Sequence, residues 1–260
     1  MASLLAAARN WVDHFHVNTG AHAERDGRPV WLKRRRWMAG AVMTLANFFF
    51  RLAGNPVEGL ASPTAWRAWE VDCFRKLHGP EFIAGLDGDG TPWAERLPGA
   101  NLAGALSAHG LTPEMLAAAA AELRRAHGLH CPHYGGAWSH GDPHTGNFLF
   151  DAATGRARLI DFEVRHRRAL PAEDRHADDL LVLLQDVCGR CRREDWPALA
   201  SAVIDGYGEP RITSRLLPRL QVPRRFFPRL WWAVRTTWMQ RPELERRLTE
   251  LARVLEPVNV

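Results

Sequence analysis

Two carboxylates and one amide, those of Asp142, Asp161 and Asn147, stand in the segment SHGDPHTGNFLFDAATGRARLIDFE, residues 139–163. All three side chains carry hard oxygen donors, which are the ligands that Mg²⁺ prefers in proteins. Mg²⁺ is usually held by one or two carboxylates together with the phosphates of a substrate. The residue types therefore favour a magnesium site at which a phosphorylated substrate completes the coordination.

A hairpin is needed to bring these side chains together. The apolar runs 148–150 and 157–160 predict two strands, and residues 152–155 predict the turn between them. Because the two ends of a hairpin meet, Asn147 before the first strand and Asp161 after the second are expected to lie near each other. The alternative is a hairpin whose acidic ends have no function.

The order of these residues is more specific than their types. His140, Asp142, Asn147, Asp161 and Phe162 have the order and spacing of the catalytic loop and the metal loop in protein-kinase-like enzymes. In the form HGDPHTGN the loop resembles that of the lipopolysaccharide core (Kdo and heptose) kinases and of the aminoglycoside and choline phosphotransferases. This resemblance implies that Asn147 and Asp161 hold Mg²⁺. It also implies that the catalytic residues are Asp142, as the base, and His140.

The same resemblance implies an α+β fold with two lobes, as in protein kinases. A small lobe with an antiparallel sheet, residues 1–97, would grip ATP, and a larger helical lobe, residues 98–260, would carry the catalytic residues. One position departs from the protein-kinase pattern, because Glu163 stands where those enzymes have the glycine of Asp-Phe-Gly.

A lysine stands near the N-terminus in a position suited to binding phosphate. Residues 17–33 predict a hairpin that turns at Asp26-Gly27, and Lys33 ends its second strand. The resemblance implies that Lys33 holds the α- and β-phosphates of ATP. No complete glycine-rich loop precedes Lys33, so residues 18–20 would have to cover the phosphates.

The next element is a well-bounded helix, predicted over residues 62–78. A Ser-Pro pair opens it and a Gly-Pro pair stops it. Glu70 lies in the middle of this helix among apolar residues, so we expect it to point inward and pair with Lys33. Glu58 and Glu81 are rival partners, but both lie outside the helix.

Two further strands are predicted over residues 82–86 and 91–97, joined by an Asp-Gly turn. The second strand runs into residues 94–99, which resemble the linker between the two lobes. The backbone around Glu95 and Leu97 would then meet the adenine ring of ATP.

The segment that follows Asp161 is short. About a dozen residues separate it from the next predicted helix, residues 174–189, and no Ala-Pro-Glu motif intervenes. Protein kinases need a long segment here to bind a peptide, so the acceptor is not expected to be a protein. Asp178 or Asp179 resembles the buried aspartate that braces the catalytic loop in this fold. Otherwise both are acids that the helix dipole favours.

Positive charge is concentrated toward the C-terminus. The net charge is +5, and residues 211–260 carry eleven arginines against four glutamates. This asymmetry indicates an anionic partner, either lipid head groups or nucleic acid. The alternative is that arginine serves as the general cation of this chain, which has only two lysines.

Two segments mix arginines with aromatic side chains. Residues 34–52 predict either a core helix or an interfacial helix whose arginines would bind anionic lipid. Residues 224–232 suit a buried aromatic cluster, a membrane interface or stacking on single-stranded nucleic acid. Residues 1–15 predict an amphipathic helix that carries no obvious chemistry.

Nothing in the sequence predicts a membrane span or a disulfide framework. The longest uncharged run, residues 37–50, is shorter than the roughly 20 residues that a crossing helix needs. No signal peptide is recognised. The four cysteines are irregularly spaced and Cys188-x-x-Cys191 has no second pair, so ordinary thiols in a reducing cytoplasm are expected.

The expected protein is therefore a cytoplasmic kinase that uses ATP and Mg²⁺ to phosphorylate a hydroxyl group. The favoured acceptor is a lipid-linked sugar, such as a lipopolysaccharide core, reached by peripheral contact with the inner face of the cell membrane. The alternatives are a soluble kinase of the aminoglycoside or choline type and an ATP-binding regulator with little turnover. Nucleic acid is a less favoured partner, although an RNA-binding module built on the basic C-terminus stays open.

Overall fold

The computed structural model describes residues 17–108, 110–191, 195–235 and 239–255. The helix predicted over residues 1–15 lies outside these described residues. The fold of the described residues is α+β: helices form its larger part, and its sheets are small and antiparallel. This confirms the expected mixture of helix and sheet.

A tight hairpin opens the described chain. Strands β1 (Asn18–Arg25) and β2 (Arg28–Arg35) pair in antiparallel register around the predicted turn. Asp26 and Gly27 have φ values of 50° and 73°, and a two-residue hairpin turn of type I′ requires positive φ at both positions. Strand β2 continues two residues beyond Lys33, where the sequence predicted its end.

A four-stranded antiparallel sheet is completed by β4 (Ala84–Leu86) and β5 (Pro92–Glu95), in the order β1-β2-β5-β4. Both strands were predicted, and both are shorter than expected. Strand β3 (Val57–Gly59) lies outside this sheet and pairs with β11 (Val164–His166), which follows the metal loop. The β3–β11 pair therefore ties the first third of the chain to the segment after Asp161.

Two helices accompany the sheet. Helix α1 (Ala39–Leu52) forms the apolar part of the arginine-rich segment. Helix α2 (Pro63–His78) begins and ends where the sequence predicted: the Ser62 side chain accepts a hydrogen bond from the Ala65 amide at 3.4 Å, and Gly79 follows at φ 87°. These local signals were sufficient to bound α2.

The rest of the chain is mostly helical, with short strands around the motif segment. The helices are α3 (Leu102–Ser107), α4 (Pro113–His127), α5 (Ala172–Arg190), α6 (Trp196–Tyr207), α7 (Pro210–Thr213), α8 (Phe226–Arg235) and α9 (Arg241–Leu255). The strands are β6 (Ala100–Asn101), β7 (His130–Cys131), β8 (Gly136–Ala137), β9 (Phe148–Asp151) and β10 (Arg156–Leu159). Strands β9 and β10 are the predicted hairpin, and β6 adds a third strand beside β9.

Helix α5 forms the centre of the molecule. Every residue from Ala177 to Gly189 is buried, although the helix carries three aspartates in that stretch. A helix buried on all sides must pair its acids, because an unpaired buried charge is very costly. The apolar core around α5 is continuous and extends from Leu60 to Leu251.

The C-terminal end of α5 carries both cysteines of the Cys-x-x-Cys motif. Cys188 and Cys191 are buried free thiols, and their backbone carbonyls accept hydrogen bonds from the Arg247 guanidinium at 3.0 and 2.5 Å. Within the described ranges, no three His, Cys, Asp or Glu side chains are grouped so that they could hold a metal ion by themselves. In the same ranges, no helix has both the length and the apolar character that a membrane crossing requires.

The crossing of α4 and α6 depends on a close backbone approach at Gly206. A Cβ atom added there would lie 2.6 Å from the Cα and carbonyl oxygen of Ala117, so the two helices would have to move apart. We expect Gly206→Ala to lower the free energy of unfolding by about 1–3 kcal/mol through overpacking. Urea unfolding followed by circular dichroism measures this change.

Gly104→Ala is the matched control, because no atom lies within 4 Å of a Cβ built at that position in α3. That variant should be neutral or slightly more stable, since alanine favours a helix by up to about 1 kcal/mol over glycine. Equal effects of the two substitutions would contradict the close-approach argument.

Candidate active site

One ammonium group lies among three carboxylates at the centre of the site. Lys33 Nζ is 3.0 Å from Glu70 Oε1, 2.5 Å from Asp161 Oδ1 and 3.4 Å from Glu163 Oε1. The Lys33 side chain is only 12% exposed. The structure therefore forms the pair predicted between Lys33 and Glu70, and it adds both acids of the Asp-Phe-Glu segment.

Burial and neighbouring charges shift the pKa values of the groups in this cluster. Burial alone would lower the pKa of Lys33, but the charges of Asp161, Glu70 and Glu163 raise that pKa above its ordinary value. Burial likewise opposes ionisation of Asp161, yet the nearby ammonium outweighs it and the pKa of that carboxyl is lowered. Burial, followed by the negative charge of Asp161, raises the pKa of Glu163 to about 7. The pKa of Glu70, which is buried as well, is also raised, with burial as the largest cause.

Glu70 connects the lysine to the backbone of the metal loop. Its second oxygen, Oε2, accepts a hydrogen bond from the Phe162 amide at 3.2 Å. The Phe162 ring is fully buried and meets Phe74 of α2 edge-on, with ring centroids 5.1 Å apart. One helix therefore positions both Lys33 and the residue next to Asp161.

The two rival glutamates do not reach the lysine. Glu58 Oε1 accepts a hydrogen bond from Arg165 Nε at 2.8 Å, and Glu81 is exposed after the end of α2. The choice of Glu70 over both residues agrees with the sequence prediction.

The catalytic-loop motif and the metal-loop motif meet at the open end of the β9–β10 hairpin. The Ile160 amide donates to the Asn147 carbonyl at 3.0 Å, which places Asp161 next to Asn147 as the sequence predicted. The Asn147 side-chain amide donates to the carbonyl oxygen of Asp142 at 2.8 Å. The carboxylate of Asp142 itself stays 45% exposed, 3.9 Å from His144 Nε2. Asp142 is therefore accessible to a molecule that binds from outside.

Asp161 adopts a strained backbone conformation. Its φ is 67°, in the left-handed region that non-glycine residues rarely occupy, and such a residue costs on the order of 1–3 kcal/mol. The ion pair with Lys33 and the Glu70–Phe162 hydrogen bond hold the residue in place. Strain of this kind is concentrated at functional sites, where geometry is kept at the expense of local stability.

His140 is buried, and its ring connects two segments of the backbone. Its ring is 1% exposed, Nε2 lies 3.1 Å from the Ile160 carbonyl, and Nδ1 accepts the Asp142 amide at 3.2 Å. Burial lowers the pKa of His140, in keeping with a neutral ring that donates from Nε2 and accepts at Nδ1. The sequence grouped His140 with Asp142, and the structure shows it joining the Asp142 loop to the residue before Asp161.

Helix α5 braces the catalytic loop through Asp179. One carboxylate oxygen accepts the His140 amide and the other accepts the Gly141 amide, each at 2.7 Å. His127 Nε2 lies 2.9 Å from the same carboxylate, and Asp179 is fully buried. Burial opposes its ionisation, but His166 and His127 outweigh this and the pKa of Asp179 is lowered. The sequence left Asp178 and Asp179 open, and the structure assigns the bracing contact to Asp179.

A second brace from α5 was not recognised in the sequence. The side chain of Asp186 accepts both the amide and the hydroxyl of Thr145, at 2.9 and 2.5 Å, two residues before Asn147. Its spacing offered a signal, because Asp179 and Asp186 are seven residues apart and so lie on the same face of a helix.

A cleft of about 520 Å³ opens next to Lys33. Its lining includes Glu95 and Leu97, the two residues expected at the adenine, together with Lys33 and Asp161. The Glu95 carboxylate lies 3.5 Å from Arg28 Nη1, at the exposed side of the sheet. The apolar residues that line the cleft come from distant parts of the sequence and include Val17, Ala94, Leu149 and Ile160.

The start of β1 covers the cleft without a glycine-rich loop. The Asn18 side-chain amide donates a hydrogen bond to Glu163 Oε1. This bond links the strand above the cleft to the residue that replaces the glycine of Asp-Phe-Gly. Asn18 and Glu163 thus form a direct connection between the covering strand and the metal loop, which the sequence motifs did not predict.

The donor set of the predicted metal site suits Mg²⁺. Asn147 contributes an amide oxygen and Asp161 a carboxylate oxygen. Two such ligands are too few to hold a metal by protein alone. Mg²⁺ commonly binds in this way, through one or two side chains, several waters and substrate phosphates.

Comparisons with known proteins assign no family to the chain. No family model matches it, and no curated protein matches it. Among solved structures it is similar to the complex of Rv3197 with erythromycin from Mycobacterium tuberculosis, with 16% sequence identity and a TM-score of 0.39. That similarity covers 92% of this chain and 70% of the other. A likeness at this level assigns neither a family nor an activity.

The bracing role of Asp179 makes a prediction about the loop. Asp179→Asn replaces one acceptor oxygen with a donor, which leaves the amide of His140 or Gly141 without a partner in a buried place. We expect the free energy of unfolding to fall by about 1–3 kcal/mol, the usual cost of a buried unsatisfied donor. Denaturant unfolding of the purified variant measures the change.

Asp174→Asn on the same helix is the control. Its partners, Arg215 and Arg219, are at the surface, so this variant should lose about 1 kcal/mol or less. If both variants unfold like the wild type, Asp179 does not support the loop.

Proposed function

We propose that the chain is an ATP-dependent phosphotransferase with a two-lobed, protein-kinase-like arrangement, which transfers the γ-phosphoryl group to a hydroxyl of a non-protein acceptor. The observation that carries the proposal is the convergence of Lys33, Glu70 and Asp161 beside the Asn147 end of the hairpin. These groups come from four elements separated in sequence, and phosphoryl transfer is the chemistry that uses all of them together.

The two proposed lobes would lie on either side of the cleft. Residues 1–97 supply the sheet, Lys33 and Glu70, and residues 98–260 supply the catalytic loop and the β9–β10 hairpin. Adenine would lie between the apolar walls, with the backbone around Glu95 and Leu97 at its edge. Lys33 would bind the α- and β-phosphates, and Glu70 would hold the ammonium in place.

Asn147 and Asp161 would hold Mg²⁺ at the phosphate end of the cleft. Bound there, Mg²⁺ would supply charge neutralisation on the phosphoryl group that is transferred. Three carboxylates around one ammonium leave negative charge in excess. This excess favours a cation beside Asp161.

Asp142 would act as the base. Its carboxylate is exposed, while its backbone is fixed by the Asn147 amide and the His140 ring. A hydroxyl bound beside it would donate its proton to an Asp142 carboxylate oxygen as the hydroxyl oxygen attacks the γ-phosphorus. The bond from that phosphorus to the bridging oxygen of ATP would break, and ADP would leave. Most of the catalysis would then come from positioning and charge neutralisation, so few reacting side chains are needed.

The favoured acceptor is a lipid-linked sugar at a membrane surface. Only ten residues, 162–171, lie between Asp161 and the start of α5, and three of these form β11 against β3. That segment is too short to bind a peptide as protein kinases do. A small or externally presented hydroxyl compound fits the exposed face of Asp142 better.

A transfer assay separates this proposal from its rivals. The full chain would be incubated with Mg²⁺ and ATP labelled at the γ-phosphate, once with membrane lipid extract and once with soluble metabolites. Label in the lipid fraction is expected. Label only in the soluble fraction would favour a kinase of small soluble compounds. Nucleotide binding without any transfer or hydrolysis would favour an ATP-binding regulator.

Replacing the base should stop turnover without removing the nucleotide. In Asp142→Asn the amide cannot accept the proton of the acceptor, so kcat should fall by about 10²- to 10⁴-fold. The Kd for ATP, measured by calorimetry, should stay within about two-fold of wild type, because Asp142 does not contact Lys33. Asp151→Asn, at the far end of β9, is the matched control and should keep its activity. Near-normal turnover of Asp142→Asn would remove Asp142 from the mechanism.

Removing the carboxylate of Asp161 should weaken the binding of ATP in the presence of Mg²⁺. In the wild type, Mg²⁺ should tighten ATP binding, whereas in Asp161→Ala this tightening should be lost because the carboxylate ligand is gone. Calorimetric titration with ATP, with and without Mg²⁺, measures the difference. Glu81→Ala removes an exposed acid after α2 and serves as the control. An unchanged effect of Mg²⁺ in Asp161→Ala would refute the metal assignment.

A further inference from the structure

The exposed apolar side chains of this protein are concentrated on one part of its surface. Among the described residues, eleven large apolar side chains are exposed, and nine of them belong to α1 with its preceding turn or to the start of α8. They are Trp37, Met38, Leu45, Phe48, Phe49, Leu52, Phe226, Phe227 and Leu230. Trp37 and Phe226 are the most open, at 91% and 72% exposed. We call these nine residues the apolar patch.

The two segments of the patch are close in space although they are far apart in sequence. Helices α1 and α8 lie side by side, with Cα atoms of the two helices within 8 Å of each other. Single exposed apolar residues are normal on a protein surface, but a contiguous group of this size marks an interaction site.

Helix α1 has an inner and an outer face, and the inner face contacts strand β3. The inner face is formed by Ala39 and Met43, which are buried, and by Asn47. The Asn47 side chain bonds both backbone groups of Gly59, donating to its carbonyl at 2.8 Å and accepting its amide at 2.6 Å. The inner face therefore anchors α1 firmly to strand β3.

The outer face of α1 is apolar as well. Leu45, Phe48, Phe49 and Leu52 recur at intervals of three and four residues, and they lie on the side opposite to Asn47. A surface helix normally turns a polar face outward. An outer face of this kind requires a second apolar environment, which the described residues do not supply.

The charge around the patch identifies that environment. Residues 34–52 and 222–235 each contain four arginines and no acidic residue. Exposed arginines border both helices: Arg34, Arg36, Arg51, Arg224, Arg225 and Arg229. Aromatic side chains framed by arginines, with no carboxylates, match the boundary between the acyl chains and the anionic head groups of a bilayer.

We propose that the apolar patch docks this protein onto a bilayer that contains anionic lipid. The aromatic rings and leucines of α1 and α8 lie in the boundary between head groups and acyl chains, and the bordering arginines bind lipid phosphates. Docking of this kind is reversible, because it uses the outer face of α1 and the start of α8 and no membrane-crossing segment.

The docked surface is linked to the active site by a short series of contacts. Helix α1 holds β3 through Asn47, β3 pairs with β11, and the Leu60 amide donates to the Glu163 carbonyl at 3.1 Å. The bilayer would thus lie on the side of the molecule that carries the segment after Asp161. Delivery of a lipid-linked acceptor to that side rests on the proposed kinase reaction, whereas the docking itself does not.

Arg35, in the middle of the run 34–36, contacts the protein interior. Arg35 is half-buried, its Nη1 donates to the Leu60 carbonyl at 2.5 Å, and its guanidinium lies 4.7 Å from the centre of the Trp66 ring. Replacing Arg35 would disturb the fold beside the site. A test of docking should therefore change Arg34 and Arg36 and leave Arg35 in place.

Co-sedimentation of the full chain with vesicles tests the proposal. Vesicles of neutral phosphatidylcholine are compared with vesicles in which part of the lipid is phosphatidylglycerol, without nucleotide and over a series of salt concentrations. Binding should require the anionic lipid and should weaken as salt increases. Arg34→Gln with Arg36→Gln should reduce the partition coefficient by about five-fold for each arginine, and Phe48→Ser with Phe226→Ser should reduce it at least as much.

Matched controls change the same residue types outside the patch. Leu86→Ser removes an exposed apolar side chain, and Arg156→Gln with Arg211→Gln removes two exposed charges. These controls should bind vesicles like the wild type. Thermal unfolding of all variants checks that the exposed substitutions leave the fold intact.

Three results would overturn the docking proposal. One is a wild-type chain that ignores anionic vesicles at low salt. Another is vesicle binding that the patch variants do not change. The third is a chain that self-associates through the patch in sedimentation velocity without binding vesicles, which would make a second copy the occupant. ATP hydrolysis measured without vesicles keeps the two proposals separate, because either activity can fail while the other persists.

Discussion

The ion cluster around Lys33 is the interaction on which the rest of the site depends. One ammonium contacts carboxylates from α2 and from both sides of Phe162, so a single charge links the sheet, the helix and the metal loop. In a poorly solvated place such a cluster is stable only while its charges remain balanced. Burial is the largest cause of the raised pKa of Glu163, and the negative charge of Asp161 adds to it. The strained φ of Asp161 is held by the same contacts.

Helix α5 supplies the support that this cluster needs from the other side. Two of its three buried aspartates, Asp179 and Asp186, accept backbone amides of the loop that carries Asp142 and Asn147, whereas Asp178 lies 3.2 Å from His166 Nε2. The continuous burial of α5 from Ala177 to Gly189 fixes the position of those carboxylates, because this stretch is packed into the core. These bonds hold the loop while the Asp142 side chain stays 45% exposed, and fixed placement of this kind is what the proposed phosphoryl transfer would require.

Helix α1 combines an anchor and an interface in one element. Asn47 bonds to β3 on the inner face, while the leucines and phenylalanines of the outer face remain open. If the outer face enters a bilayer, the same rigid helix that meets the lipid is two strands away from Glu163. The geometry would then present the cleft to whatever the membrane carries.

The sequence by itself determined the elements whose signals are local. The Asp26-Gly27 turn, the bounds of α2, the β9–β10 hairpin and the meeting of its ends all follow from residues within a few positions of one another. Turn chemistry, capping and hydrophobic period act over that distance, so they can be read without the fold.

Only the tertiary structure decided which charged groups, distant in sequence, are buried next to one another. Lys33 meets Glu70 across 37 positions and Asp161 across 128, and Asp179 rather than Asp178 reaches the catalytic loop. The inward turn of Arg35 and the open outer face of α1 were decided in the same way. The physical reason is that burial sets the strength of a charge pair and the cost of leaving it unmade, and burial is a property of the packed chain.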